Sequence, residues 1–139
     1  MPSNPEHGLR DTSTFIQIER VANPGDSLPG QVCLSAITLA ELSLGPLLVD
    51  DPAERARRQQ HVQLAGEVEL LPFDTACAHM FAPIAAHLRA GGGKRQARAF
   101  DALIAATAIA NGLPLYTGNT RDCESIPGLD LRPVPVPDA

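Results

Sequence analysis

The chain reads as an α/β fold in which a central, mainly parallel β-sheet lies between layers of helices. Three observations lead to this class. Short apolar runs of strand length alternate with longer stretches of helical length. Clustered turn formers separate them, most densely in Asn23-Pro24-Gly25-Asp26-Ser27-Leu28-Pro29-Gly30. At 139 residues, 44% of them hydrophobic, the chain can fill one sizeable core. The expectation is one domain over 1–139, with its core in 8–134 and flexible ends at 1–7 and 135–139.

The elements follow in order. Residues 8–11 form a short first strand, in which Arg10 fits poorly, since strands covered on both faces are apolar. A helix over 12–21 presents Phe15, Ile16 and Ile18. Residues 31–34 form a second strand and 36–48 a helix. Asp51-Pro52 starts the next helix, to residue 65, with proline in the first turn where its missing N–H does no harm. A strand over 67–71 precedes a helix that Asp74 can cap; it runs to residue 90, with a kink expected at Pro83. Gly91-Gly92-Gly93-Lys94-Arg95 is a loop. Residues 100–110 are apolar nearly all round, so this helix is buried on most sides. Asn111-Gly112 followed by Pro114 stops it. Strands over 113–117 and 131–134 complete the sheet, and the proline-rich tail frays.

Composition narrows the function. A net charge of −5 argues against coating nucleic acid by bulk positive charge, but not against a nuclease whose metal ions reverse the local potential. Cys33, Cys77 and Cys123 are odd in number and lack metal-type spacing, which points to buried free thiols in a reducing cytoplasm. The first seven residues are polar with two prolines, unlike a signal peptide, and no apolar run is long enough to cross a bilayer. Interaction with a membrane is therefore not expected.

Four acids at the edges of apolar segments carry the chemistry: Asp11, Glu41, Asp101 and Asp122. Each has an ordinary alternative. Asp11 and Asp101 could cap helices. Thr38 and Glu41 match a capping box, Thr-x-x-Glu. Asp122 lies in a polar loop. Right-handed crossovers nevertheless bring strand carboxyl ends to one edge, where such folds bind ligands. A jointly held divalent ion would offset the cost of placing carboxylates beside a core.

Four blocks surround these acids: Asp11-Thr12-Ser13 with Phe15-Ile16; Ser35-x-x-Thr38-x-Ala40-Glu41-Leu42; residues 98–108 around Phe100-Asp101-Ala102; and Leu115-Tyr116-Thr117-Gly118-Asn119-Thr120-Arg121-Asp122. In order and spacing they resemble the PIN-domain family, and within it the VapC-type toxins of toxin–antitoxin pairs, over residues 8–134. The resemblance implies a three-layer PIN-like sandwich and a metal-dependent endoribonuclease that leaves 5′-phosphate and 3′-hydroxyl ends. It implies Asp11, Glu41, Asp101 and Asp122 as catalytic metal ligands, with Ser13 and Asn119 as supporting polar groups. The implied cofactor is Mg²⁺, with Mn²⁺ as an alternative, because hard cations prefer oxygen donors. The implied partners are a cognate VapB-type antitoxin, a transfer or ribosomal RNA substrate, and a second copy of the chain. A housekeeping PIN nuclease for RNA processing and an inactive PIN-type binding module are the competing readings.

The chain departs from the family pattern at Arg10, usually apolar, at Gly118, often basic, and at Cys123, often aromatic. Arg10 could pair with a site acid or face a partner. Lys94, Arg95 and Arg98, with no acid among residues 89–98, form a candidate RNA-binding patch, Arg98 being nearest Asp101. The alternative is a solvated helix edge. His79 and His87 are not spaced as adjacent-turn ligands. Gly91-Gly92-Gly93-Lys94 lacks the spacing and the Ser/Thr of a P-loop.

Overall fold

Strand β1 (His7–Arg10) sits in the middle of a five-stranded sheet of order β3-β2-β1-β4-β5, with every neighbouring pair parallel. The remaining strands are β2 (Gln31–Ser35), β3 (Glu69–Leu71), β4 (Leu115–Thr117) and β5 (Leu131–Pro133). This computed structural model describes residues 7–17, 31–91, 95–118, 120, 123 and 125–135, without the side chains of 95–98. The chain moves outward from β1 through β2 to β3, then returns to place β4 on the other side of β1. Connections after β1 and β4 therefore diverge, and they leave a crevice at the carboxyl ends of these two strands.

Helices cover both faces, because side chains alternate along each strand. Leu9, Cys33 and Leu115 share one face and pack on α4 (Thr75–Ala90) and α5 (Arg95–Ala110) through Ile84, Leu88 and Ile104. Val32 and Leu34 face the other way, onto Phe15 of α1 (Thr12–Ile16), Leu42 of α2 (Ala36–Leu44) and Ala65 of α3 (Pro52–Ala65). In α5, Ala102, Ala105, Ala106 and Ala108 are fully buried; their small side chains let the helix lie close to its neighbours.

Several boundaries differ from the sequence expectation for local reasons. The helix expected over 36–48 gives way at Leu44 to a 3₁₀ turn, Gly45–Leu48, because Pro46 has no N–H to continue the α ladder. The helix α5 begins at Arg95, not Phe100. Arg95-Gln96-Ala97-Arg98-Ala99 is rich in helix formers but lacks the apolar periodicity that marks a buried start. The strands β3 and β4 each begin two residues later than expected, and β4 follows directly on Pro114. Helix α4 runs through Pro83 without a break. Residue 18 and those up to 30 lie outside the described residues, as do the ends. Of the expected apolar face of α1, Phe15 is buried whereas Ile16 is 41% exposed. After α5, Gly112 adopts φ 65° and Leu113 N–H donates to Ala108 carbonyl oxygen at 2.9 Å, the expected glycine stop.

Arg10, Tyr116 and Arg132 are register neighbours across β1, β4 and β5. Arg132 forms a two-pronged pair with Asp130 at 2.8 and 3.0 Å. The Arg10 Nε and the Tyr116 hydroxyl are buried without hydrogen-bond partners among the described residues. Burial lowers the pKa of Arg10 and raises that of Tyr116. The pairing of Arg10 with a site acid is thus not seen among the described residues. A buried hydroxyl without a partner costs about 1–3 kcal/mol, so its removal relieves that cost. Tyr116→Phe should therefore leave unfolding free energy unchanged or raise it by up to about 1 kcal/mol, as read by urea denaturation. A loss beyond about 1 kcal/mol would show that the hydroxyl is hydrogen-bonded in the folded protein.

Candidate active site

The first acid, Asp11, follows β1 directly and serves as the N-cap of α1, with an extended backbone (φ −76°, ψ 170°). Its Oδ1 accepts the Thr14 backbone N–H at 2.9 Å, and its Oδ2 accepts the Thr117 hydroxyl from the end of β4. The Gly118 N–H, one residue further, donates to Thr14 Oγ1 at 2.9 Å. The start of α1 is thereby tied across the crevice to the end of β4. Capping and membership of an acidic site are not alternatives for Asp11, because a carboxylate has about four acceptor sites. The Ser13 hydroxyl stands 3.5 Å from Oδ1, at the limit of a hydrogen bond.

Glu41 is not part of a capping box. Helix α2 starts earlier, at Ala36, and Ser35 caps it by accepting the Ile37 N–H at 3.0 Å. This leaves Thr38 and Glu41 inside the helix, where Glu41 Oε1 accepts the Thr12 hydroxyl at 2.6 Å. Burial raises the pKa of Glu41 most and the charge of Asp11 raises it further, whereas the Thr12 hydrogen bond opposes both. Nor does Asp101 cap a helix, because it is the seventh residue of α5.

Asp11, Glu41 and Asp101, from three separate elements, line one cavity of about 210 Å³ together with Thr12, Ser13 and Ile104. Asn119, Asp122 and Lys94 lie outside the described residues. Arg95 and Arg98 belong to the first turns of α5, which places Arg98 three residues before Asp101 on one helix. Neither His79 nor His87 lines this cavity. The sequence reading missed Thr12, Thr38 and Thr117 as supports for the acids, although all three stand inside the motif blocks. The signal for Thr12 was a hydroxyl beside an acid and for Thr38 the Ser-x-x-Thr spacing, whereas Thr117 carried none beyond its place in the last block.

The cavity's donors are all oxygens, and Glu41 is held above its ordinary pKa there chiefly by burial and to a lesser degree by the charge of Asp11. Among the described residues no three acids, histidines or cysteines form a ready chelate, so the three carboxylates share a cavity and not yet a common point. Donor type and charge fit a hard divalent cation. All three cysteines are buried and none forms a disulfide among the described residues. Cys33 is pushed up to about 11, by burial and then by its contact with Glu69, which leaves it unreactive. No helix among the described residues is long and apolar enough to cross a membrane.

Comparison with known proteins gives a consistent family. Residues 9–127 match the model of the PIN domain. Ribonuclease VapC8 of Mycobacterium tuberculosis is 43% identical over 101 residues, covering 73% of this chain and 89% of the relative. Ribonuclease VapC5 of the same organism is 36% identical over 118 residues, covering 84% and 86%. The crystal structure of VapBC-5 from M. tuberculosis, a member of the VapBC family of toxin–antitoxin systems, superposes with a TM-score of 0.77 at 29% identity. It covers 94% of this chain and all of that one.

The direction of the Glu41 shift gives a pH prediction. A carboxyl whose folded pKa is raised holds its proton more tightly in the folded state than in the unfolded chain. Its contribution to stability is present below the ordinary pKa and is lost as pH rises through the folded value. Metal-free protein should lose stability as pH rises from about 4.5, the ordinary value, toward neutrality. Glu41→Gln should flatten this dependence and stabilise the metal-free protein at neutral pH. Denaturant unfolding at several pH values checks it; an equal slope in both proteins would contradict the shift.

Proposed function

The chain belongs to the PIN-domain family, and on that premise we propose that it is a VapC-type ribonuclease toxin, an endoribonuclease that cuts RNA in the cytoplasm until a cognate VapB-type antitoxin covers its site. The observation that carries the reading is the joint placement of Asp11, Glu41 and Asp101 around one cavity at the carboxyl edge of the sheet. An enzyme acting on a phosphodiester must balance the charge of phosphate and carboxylates together, and an oxygen-only site does this through hard cations. We assign Asp11, Glu41 and Asp101, with Asp122, as the residues that would hold Mg²⁺ or Mn²⁺. When bound, such an ion supplies charge neutralisation at the phosphodiester and a more acidic water for in-line attack.

The chain's own groups prepare that chemistry. Both oxygens of Asp11 are held, by Thr14 and Thr117, so its carboxylate plane is set before substrate arrives. Ser13 and Asn119 are assigned as polar neighbours of the phosphate. Arg98, with Arg95 and Lys94, is assigned to the RNA backbone leading to Asp101.

The antitoxin would lie beside the acids. A second cavity, of about 360 Å³, shares Thr12, Ile16 and Glu41 with the first and continues to Arg57, Arg58 and His61 of α3. Leu47 and Leu48 beside it on the 3₁₀ turn are 79% and 66% exposed. Large apolar side chains left bare next to a groove mark a protein contact. A homodimer completes the proposed assembly.

Expression of the chain alone should arrest growth, with relief by the antitoxin, and mapping of fresh RNA ends should show defined cuts. Asp101→Asn should reduce cleavage by about a hundredfold or more while leaving thermal unfolding of the metal-free protein intact, since one charge-stabilising group is typically worth that much. Full ribonuclease activity in a well-folded Asp101→Asn protein would sink the assignment. Arg98→Ala should weaken RNA binding with metal binding intact, and should reduce the log–log salt slope by about 0.7, one phosphate contact to a single strand. An unchanged slope would remove Arg98 from the contact.

A further inference from the structure

Two hydroxyls stand behind Glu41 in series. Thr12 Oγ1 lies 2.6 Å from Glu41 Oε1 and 3.1 Å from Thr38 Oγ1. Thr12 has a single hydroxyl hydrogen, so it cannot donate to both. An ionised carboxylate only accepts, so the Thr12 hydrogen goes to Glu41 at 2.6 Å, and Thr38 Oγ1 at 3.1 Å is the competing acceptor. Thr38 is fully buried and lies against the side of Thr12 away from Glu41's oxygen.

The three members come from two elements that meet only through this contact and local packing: Thr12 opens α1, while Thr38 and Glu41 lie one turn apart on α2. Without Thr12, the Glu41 side chain could turn into the larger cavity toward Arg57 and Arg58, which it already borders. We propose that Thr12, held in turn by Thr38, is the positioning residue that aims Glu41 at the acidic cavity and thereby sets the protein's affinity for a divalent cation. It acts through Glu41 and is not itself a ligand. The proposal rests on the metal-dependent nuclease reading given above, and it names a determinant of that site outside the four acids.

Mn²⁺ is the probe, titrated by calorimetry or by its electron paramagnetic resonance signal into the full chain without RNA. Loss of a group that orients a ligand typically weakens metal binding by about 10–100-fold. Thr12→Val should show a loss of that size, whereas Thr12→Ser, which keeps the hydroxyl, should bind Mn²⁺ within about threefold of the wild type. Thr38→Val, with Thr12 intact, should lose less than Thr12→Val. Thermal unfolding without metal controls for folding, and Thr12→Ala repeats the measurement if the valine protein does not fold. A merely structural role predicts that serine and valine differ in stability but not in affinity. Wild-type Mn²⁺ affinity in folded Thr12→Val or Thr12→Ala overturns the proposal alone. Failure of the wild type to bind Mn²⁺ at all overturns the metal reading and this proposal with it.

Discussion

Asp11 holds the two halves of the molecule together at the point where they part. The sheet grows to one side of β1 through β2 and β3 and to the other through β4 and β5, so the chain has no continuous connection above β1 and β4. One oxygen of Asp11 satisfies a free N–H of α1, and the other takes the hydroxyl of Thr117, which lies 106 residues away in sequence. The Thr14–Gly118 bond repeats the link one step outward. These bonds carry the β1–β4 pairing past the ends of both strands, at the point where Asp11 joins the other residues of the cavity. A carboxylate suits the task because it can satisfy a helix N-terminus and a hydroxyl and still offer lone pairs to the cavity.

The same choice creates an electrostatic load. Placing Glu41 within the influence of Asp11, half buried, raises its pKa, and only the Thr12 hydroxyl works in the opposite direction. Such an arrangement is poor design for stability and suits a cation, whose charge would offset that of the acids. The surface acids behave differently. Glu54 is paired with both Arg57 and Arg58, which hold its pKa down, and Asp74 spends its charge on the N-terminus of α4. Two classes of acid can be told apart by what surrounds them, although their residue types are the same.

Much of this was legible in the sequence because the acids stand at the ends of apolar runs that the fold converts into strand ends and buried helices. The layers and the shared edge follow from alternation and right-handed crossover, whereas the strand order does not, and the motif blocks around Asp11, Glu41 and Asp101 marked which acids to follow. What the sequence concealed was local competition. Thr38 and Glu41 have the spacing of a capping box, yet Ser35 starts the helix three residues earlier, because a serine between a buried strand and a helix can serve both. Asp101 looks like the head of a buried helix because apolar periodicity begins there, whereas the polar turns before it are helical by propensity alone. The support of Thr12 to Glu41 and of Thr117 to Asp11 joins residues 29 and 106 apart, and single-sequence spacing carries no record of such contacts. Arg10 remains the clearest conflict between residue and place: a guanidinium in a central strand whose Nε finds no partner among the described residues.

Contiguity of the two cavities has a mechanistic consequence under the proposed function. Thr12, Ile16 and Glu41 belong to both walls, so a polypeptide that fills the apolar side of the larger groove also reaches the edge of the acidic one. Inhibition then needs no conformational change in the sheet; it needs only a segment long enough to cover Ile16 and extend past Glu41. Arg57 and Arg58 on α3 are paired with Glu54, and Arg58 also donates to the Gly45 carbonyl at 3.1 Å. Arg58 thus enters the groove already held, and the exposed leucines of the 3₁₀ turn, which begins at the groove's own Gly45, add apolar surface to that end of the molecule. The substrate is drawn to the same crevice for a different reason, its phosphates, and meets it from the Asp101 side through the first turns of α5. Under the proposed function, Glu41, the acid shared by both cavities, is then the residue at which inhibitor and substrate would compete.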